Sequence, residues 1–182
     1  MNQFARILTE RRVGNAAGFL ACVALMAYAL YAQYVLGFEP CPLCIFQRVA
    51  VMALGVIFLL AALHHPRQSG ATMYGVLALM AALAGIGVAA RHIWIQSQPP
   101  GTVAACGASL DYMLDILPVM TVINKVLTGS GECAHIDWQL LGLSMPWWVL
   151  FACVGLGLWA LWVNLIAPSL LIDRRTRFIS DR

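Results

Sequence analysis

The chain has 182 residues, 62% of them hydrophobic and only 10% charged, with a mean hydropathy of +0.81 and a formal net charge of +3. Soluble domains run nearer half apolar and a quarter charged, so a water-soluble globule is excluded and the main solvent of this chain is lipid. The few charges are too sparse, and too regularly placed around apolar runs, to read as a nucleic-acid surface.

Arg6, Arg11 and Arg12 precede a wholly apolar run from Ala16 to Ala32. The run contains Ala27-Tyr28-Ala29, which resembles a cleavage site, but it exceeds the 7–15 residues usual for a signal-peptide core. It is therefore expected to remain as a first span, about residues 14–34. A short segment, about 35–43, follows and carries Cys41-Pro42-Leu43-Cys44. Ile45, Phe46 and the run from Val49 to Leu63 form a second span, about 44–64. The loop at about 65–70 holds Arg67, and the uninterrupted run from Met73 to Ala90 gives a third span, about 71–91.

A long segment, about 92–144, comes next. Gln98-Pro99-Pro100-Gly101 and Thr128-Gly129-Ser130-Gly131 are turn-rich stretches. Between them Tyr112, Met113, Ile116, Leu117, Val119, Met120 and Ile123 predict a short amphipathic helix on the membrane surface, with Pro118 as a break point. Cys106 and Cys133 flank it, so the segment reads as an arm able to carry a thiol. Met145 to Val163, interrupted only by Pro146, gives the fourth span, about 145–165. Each run approaches the ~20 helical residues that cross a ~30 Å hydrocarbon core. Backbone groups in lipid must bond internally, so the expectation is an all-α membrane protein, a four-transmembrane-helix bundle forming a single domain over 1–182. Gly55, Gly75, Gly85, Gly87, Gly155 and Gly157 suit close helix packing.

Arg6, Arg11, Arg12, Arg67, Arg174, Arg175, Arg177 and Arg182 all fall on one side, eight of the eleven basic residues. The positive-inside rule makes that side cytoplasmic, together with both termini. Glu39, Asp111, Asp115, Glu132 and Asp137, five of the eight acids, lie in the two outer segments.

Six cysteines divide under this topology. Cys22 and Cys153 lie inside spans, where packing is the ordinary role. Cys41, Cys44, Cys106 and Cys133 lie on the outer face, which fits an oxidising compartment, and four cysteines permit three connectivities. A bridge between Cys106 and Cys133 would close a roughly 28-residue loop worth about 3.6 kcal/mol, whereas a Cys41–Cys44 ring would contribute only about 1.9. The long bridge could serve stability alone. The short ring staples residues that a helix start already holds together, so redox chemistry is its better reading.

Proline at Pro42 favours a helix start there, which puts Cys44 in the first turn, where free N–H groups and the helix dipole favour an anion. Arg48 is four residues on, on the same helix face. Both features favour thiolate, the form that attacks disulfides and donates electrons. The alternative for Arg48 is a snorkelling side chain that marks the interface.

These residues resemble the DsbB family, bacterial inner-membrane enzymes that generate disulfides with quinone. The likeness rests on four spans, Gln33, Pro40-Cys41-Pro42-Leu43-Cys44-Ile45-Phe46-Gln47-Arg48, Arg91-His92, Cys106, Gly131-Glu132-Cys133-Ala134 and Leu141-Gly142-Leu143-Ser144-Met145-Pro146-Trp147. Together they cover nearly the whole chain, although a bare CxxC would carry little weight. The resemblance implies redox disulfides Cys41–Cys44 and Cys106–Cys133, and a periplasmic position for both outer segments. It implies a DsbA-like periplasmic thiol oxidase as partner, attacking at Cys106, and membrane quinone (ubiquinone or menaquinone) as electron acceptor. Cys44, Arg48, His92 and Met145 would then face the quinone. Some relatives carry an acid where this chain has Gln47, so a local carboxylate partner for Arg48 is absent.

Other readings fare worse. No resident metal is expected: His92, Cys106, Cys133 and His135 are zinc-type donors, but only Cys133-Ala134-His135 has close spacing. Covalent haem needs histidine directly after CxxC, where Ile45 stands. A four-span adaptor with structural disulfides would tolerate loss of Cys44. A vitamin K epoxide reductase-like enzyme would place its CxxC at the end of the bundle sequence, not at the start of span two.

Overall fold

The computed structural model describes residues 11–64, 66, 68–99, 115, 117–118, 120–122, 124, 131–134, 136 and 138–166. In chain order its elements are α1 (Arg11–Tyr34), α2 (Pro42–His64), α3 (Gln68–Gln96), the short α4 (Gly131–Ala134), a hairpin of β1 (Gln139–Leu140) and β2 (Leu143–Ser144), and α5 (Met145–Leu161). A π-helical segment, Trp162–Ile166, continues α5. The four long helices are each apolar and long enough to cross a membrane, so the chain is a multi-pass membrane protein built as a four-helix bundle.

The outward faces confirm lipid as the solvent. Leu20 on α1, Met80 on α3 and Leu158 on α5 are more than 60% exposed, a wasteful arrangement in water but a neutral one against acyl chains. Inside, the helices pack chiefly as α3 on α5, α1 on α2 and α2 on α3. Cys22, Val51, Leu54, Phe58, Ala82 and Cys153 meet in the central core. With no hydrophobic drive between helices in lipid, close approach through small residues does much of the work. At Gly18 a Cβ would come within 2.9 Å of the Phe58 ring, and at Gly85 within 2.8 Å of Cys153 Sγ. Cys22 and Cys153 are thus packed core residues, well away from the helix ends.

Among the described residues, the side-chain hydrogen bonds between α1 and α5 with its continuation lie at one end. There the buried amides of Asn15 and Asn164 exchange hydrogen bonds of 3.1 Å in both directions. Trp159 Nε1 donates to Gly14 O at 2.9 Å beside them. Elsewhere α1 and α5 touch lightly.

The hairpin pairs Gln139 with Ser144 and Leu140 with Leu143. Leu141 (φ 54°) and Gly142 (φ 78°) form its turn, both in the left-handed region. That suits glycine but disfavours leucine by roughly 1–2 kcal/mol, and nothing in the composition of Leu141-Gly142 announced the turn. Ser144 Oγ donates to Gln96 Oε1 (2.6 Å) instead of capping α5, which joins the hairpin to the end of α3. Near Pro118, Asp115 is helical, Leu117 lies in a bend and Met120–Val122 are helical again. Thr121 and Val122 N–H groups bond back to Pro118 O. The rest of the expected surface helix lies outside the described residues.

Gly18→Ala should destabilise the bundle by about 1–3 kcal/mol, because Phe58 is fully buried and has no room to yield. Thermal unfolding in detergent reads this directly, and an unchanged midpoint would mean that the Phe58 ring can move aside.

Candidate active site

α2 begins at Pro42, whose missing N–H is of no consequence in a first turn. This start puts Cys41 just outside the helix and Cys44 inside its first turn. Their thiol sulfurs lie 2.9 Å apart, and the backbone N–H of Cys44 points at Cys41 Sγ (3.4 Å). Side-chain rotation alone would bring the sulfurs to bonding distance.

His92, from the far end of α3, joins this pair. It is 2% exposed, with Nε2 3.8 Å from Cys41 Sγ and 3.2 Å from the backbone oxygen of Cys133. Gln47, 3% exposed, lies one turn along α2 and places its amide nitrogen 3.3 Å from His92 Nδ1. With the amide N–H donating to Nδ1, the ring proton sits on Nε2 and is donated to Cys133 O. One imidazole therefore links α2, α3 and α4. Cys133 is itself buried with Leu43, Ile95 and Val122, in a cluster against which Cys41 packs.

Arg48 turns the other way, toward α1. One Nη donates to the side-chain oxygen of Gln33, and the other donates to Ala29 O at 3.1 Å. Both acceptors are neutral. Among the described residues no carboxylate pairs with the guanidinium, so its charge remains available to a nearby anion.

A cavity of about 370 Å³ opens between α1 and α5 at the end where α2 and α5 begin. Cys41, Cys44, Arg48, His92 and Met145 all contribute to its wall, as do Leu25, Met26, Ala29, Val149 and Ala152. The lining is mainly apolar with a few convergent polar groups, the usual make-up of a small-molecule site. The hairpin helps to close it: Trp138 meets Tyr28 edge-on, with ring centroids 6.2 Å apart. Trp148, also in the wall, has a buried indole N–H with no acceptor among the described residues.

Of the residues singled out from sequence, Cys41, Cys44, Arg48, His92 and Met145 thus share one site, and Cys133 adjoins it. Cys106 and His135 lie outside the described residues. Sequence reasoning did not place Trp148 or Trp138 in the site, and it noted Gln47 only as standing where some relatives carry an acid. Gln47 carried a signal, because a polar side chain one turn from Cys44 on an otherwise apolar helix needs a partner.

A family model described as Disulfide bond formation protein DsbB matches residues 11–163, which takes in all four membrane helices. The chain belongs to the DsbB family. Relatives named Disulfide bond formation protein B include that of Xanthomonas axonopodis pv. citri, 53% identical over 81% of this chain and 86% of its own length. The protein of Methylobacillus flagellatus is 50% identical over 82% and 90%, and that of Chromobacterium violaceum 48% identical over 91% and 97%. DsbB membership makes the chain an oxidoreductase of disulfide bond formation.

Gln33→Leu removes one of the two acceptors of a cation in apolar surroundings and should cost about 1–3 kcal/mol of stability. Thermal unfolding in detergent measures it. No change would show that the guanidinium finds another acceptor, and that Gln33 does not hold it in place.

Proposed function

We propose that this protein reoxidises a DsbA-like periplasmic thiol oxidase and delivers the electrons to membrane quinone, ubiquinone or menaquinone, sustaining disulfide formation in periplasmic proteins. The observation that carries the reading is the convergence of Cys41, Cys44, Arg48 and His92 on one largely apolar cavity in a membrane bundle. A thiol pair with access to such a cavity can exchange electrons with a lipid-dissolved acceptor. The protein would lie in the inner membrane with both termini cytoplasmic, as the placement of its arginines favours.

Electrons enter at the Cys106–Cys133 disulfide. A partner thiolate attacks Cys106, forming a mixed disulfide and releasing Cys133. The partner's second thiol then displaces Cys106, so the partner leaves oxidised and the loop pair holds two thiols. Cys133 attacks Cys41 of the Cys41–Cys44 disulfide, and Cys44 departs as thiolate. Closure of Cys106–Cys133 then frees Cys41. Burial of Cys133 in the cluster that Cys41 packs against supports this direction of transfer.

The residues of the cavity fit a quinone on three counts. Its volume and apolar wall suit a ring with an isoprenoid tail. The Arg48 guanidinium, held by neutral acceptors, would favour Cys44 thiolate and would offer a positive charge to a carbonyl oxygen of the bound group. Among the described residues the indole N–H of Trp148 has no acceptor, and such an oxygen would supply one. Quinone supplies a sink for two electrons and two protons, and return of the Cys41–Cys44 pair to the disulfide provides both. The Nε2–H of His92, donated to Cys133 O, lies 3.8 Å from Cys41 Sγ, which supports a role in supplying a proton to the thiolate freed there.

The decisive experiment follows anaerobic reduction of a defined quinone by reduced partner, with Cys41, Cys44, Cys106 and Cys133 replaced by serine in turn. Each replacement should abolish turnover, and only Cys106→Ser should also prevent a stable mixed disulfide with the partner. Full turnover by Cys44→Ser would sink the electron route and favour a structural adaptor. Trp148→Phe keeps the ring and loses the donor. It should raise the KM for quinone about threefold to tenfold with little effect on partner KM, and equal quinone KM would remove the indole N–H from the site.

A further inference from the structure

The ligating atoms of Cys41, Cys44 and His92 all lie within 4.8 Å of one another, a donor set different from the one the sequence offered. We propose that the reduced Cys41–Cys44 pair and His92 form a zinc site, and that Zn²⁺ bound there locks the pair against oxidation. The locking half rests on the electron route proposed above; the metal site does not.

The geometry is close to what zinc requires. Tetrahedral Zn²⁺ with Zn–S of ~2.3 Å and Zn–N of ~2.05 Å sets S···S near ~3.8 Å and S···N near ~3.5 Å. Here the two sulfurs are 2.9 Å apart and Cys41 Sγ is 3.8 Å from His92 Nε2. Rotation of the Cys44 side chain to open the pair by about 0.9 Å would bring all three donors around one point. The backbone N–H of Cys44 already points at Cys41 Sγ, which fixes the orientation of that donor. The fourth position faces the cavity, where water can complete the shell, an arrangement of three protein ligands and one open site.

The second layer can support the ligand as well. To bind metal, Nε2 must give up its proton and release Cys133 O, and the ring proton must move to Nδ1. A half-turn of the Gln47 amide presents its oxygen to that Nδ1–H and fixes the metal-binding tautomer. Two thiolates cancel the charge of the metal, so the nearby Arg48 faces a neutral complex.

Binding releases two thiol protons to solvent and transfers no electrons. With one lone pair of each sulfur donated to the metal, attack by either thiolate is slowed and the dithiol is held reduced. The disulfide offers no thiolates, so the site exists in only one redox state.

The test uses full-length protein in detergent carrying Cys106→Ser and Cys133→Ser, which leaves Cys41–Cys44 as the pair at the site while Cys22 and Cys153 stay buried in the core. The protein is reduced with a phosphine that is then removed, and Zn²⁺ is titrated in competition with a chromophoric chelator. One zinc per chain is expected in the reduced form, and at least 100-fold weaker binding in the oxidised form. His92→Ala and Cys44→Ser should each weaken binding at least 100-fold, and Gln47→Leu by roughly 10–100-fold. Gln47→Glu should tighten it, which a loss of folding could not mimic. Equal affinity in His92→Ala, or in the oxidised form, would overturn the site. In the unmodified protein, zinc added after reduction should slow quinone-coupled oxidation at least tenfold, with recovery on chelation. Binding without slowing overturns the locking. Absence of quinone-coupled oxidation even without zinc would instead count against the electron route, while the titration still decides the metal site.

Discussion

The site of this molecule is built around a guanidinium whose partners among the described residues are neutral. Arg48 stands on a membrane helix, and a cation there is tolerated only when its N–H groups are satisfied. Gln33 and Ala29 O on α1 meet that need, so the same contacts that make the charge bearable also pin α2 to α1 beneath the cysteine pair. A carboxylate would have satisfied Arg48 more strongly and removed its field from the cavity. Neutral acceptors leave the charge in place, which is what an adjoining thiolate or a polarised carbonyl can use.

The bundle is organised by a contrast between its two ends. At one, the paired amides of Asn15 and Asn164 and the indole of Trp159 draw α1 and α5 together. At the other the helices part, and the space between them is the cavity. The hairpin before α5 covers this opening through Trp138 and is moored to α3 by the Ser144–Gln96 bond. The two-residue turn of this cover costs a small local strain, because Leu141 stands in the left-handed region.

His92 links the components on the other side. From α3 it contacts Cys41 and Gln47 at the start of α2 and the backbone of Cys133 on α4, while it is almost wholly buried. Such a residue cannot shift without moving all three. Its position gives the loop segment bearing Cys133 and the ring-forming pair a common support.

Much of this was readable in the chain. Runs such as Ala16–Ala32 and Met73–Ala90 demanded spanning helices, because lipid leaves the backbone no other partner. Pro42 and the i, i+4 spacing of Cys44 and Arg48 put a cation one turn from a thiol, because helix periodicity is local. The family likeness likewise lay in short, contiguous motifs. What the sequence could not supply was distance between helices. That Arg48 reaches Gln33, that Gln47 turns to His92, and that Trp148 finds no acceptor among the described residues all depend on how α1, α3 and α5 dock. A linear pattern records which face of a helix is polar, whereas packing of small residues such as Gly18 and Gly85 decides which neighbour that face meets. The gathering of Cys41, Cys44 and His92 into one donor set is of that second kind, because residues 51 positions apart meet only when α2 and α3 are set side by side.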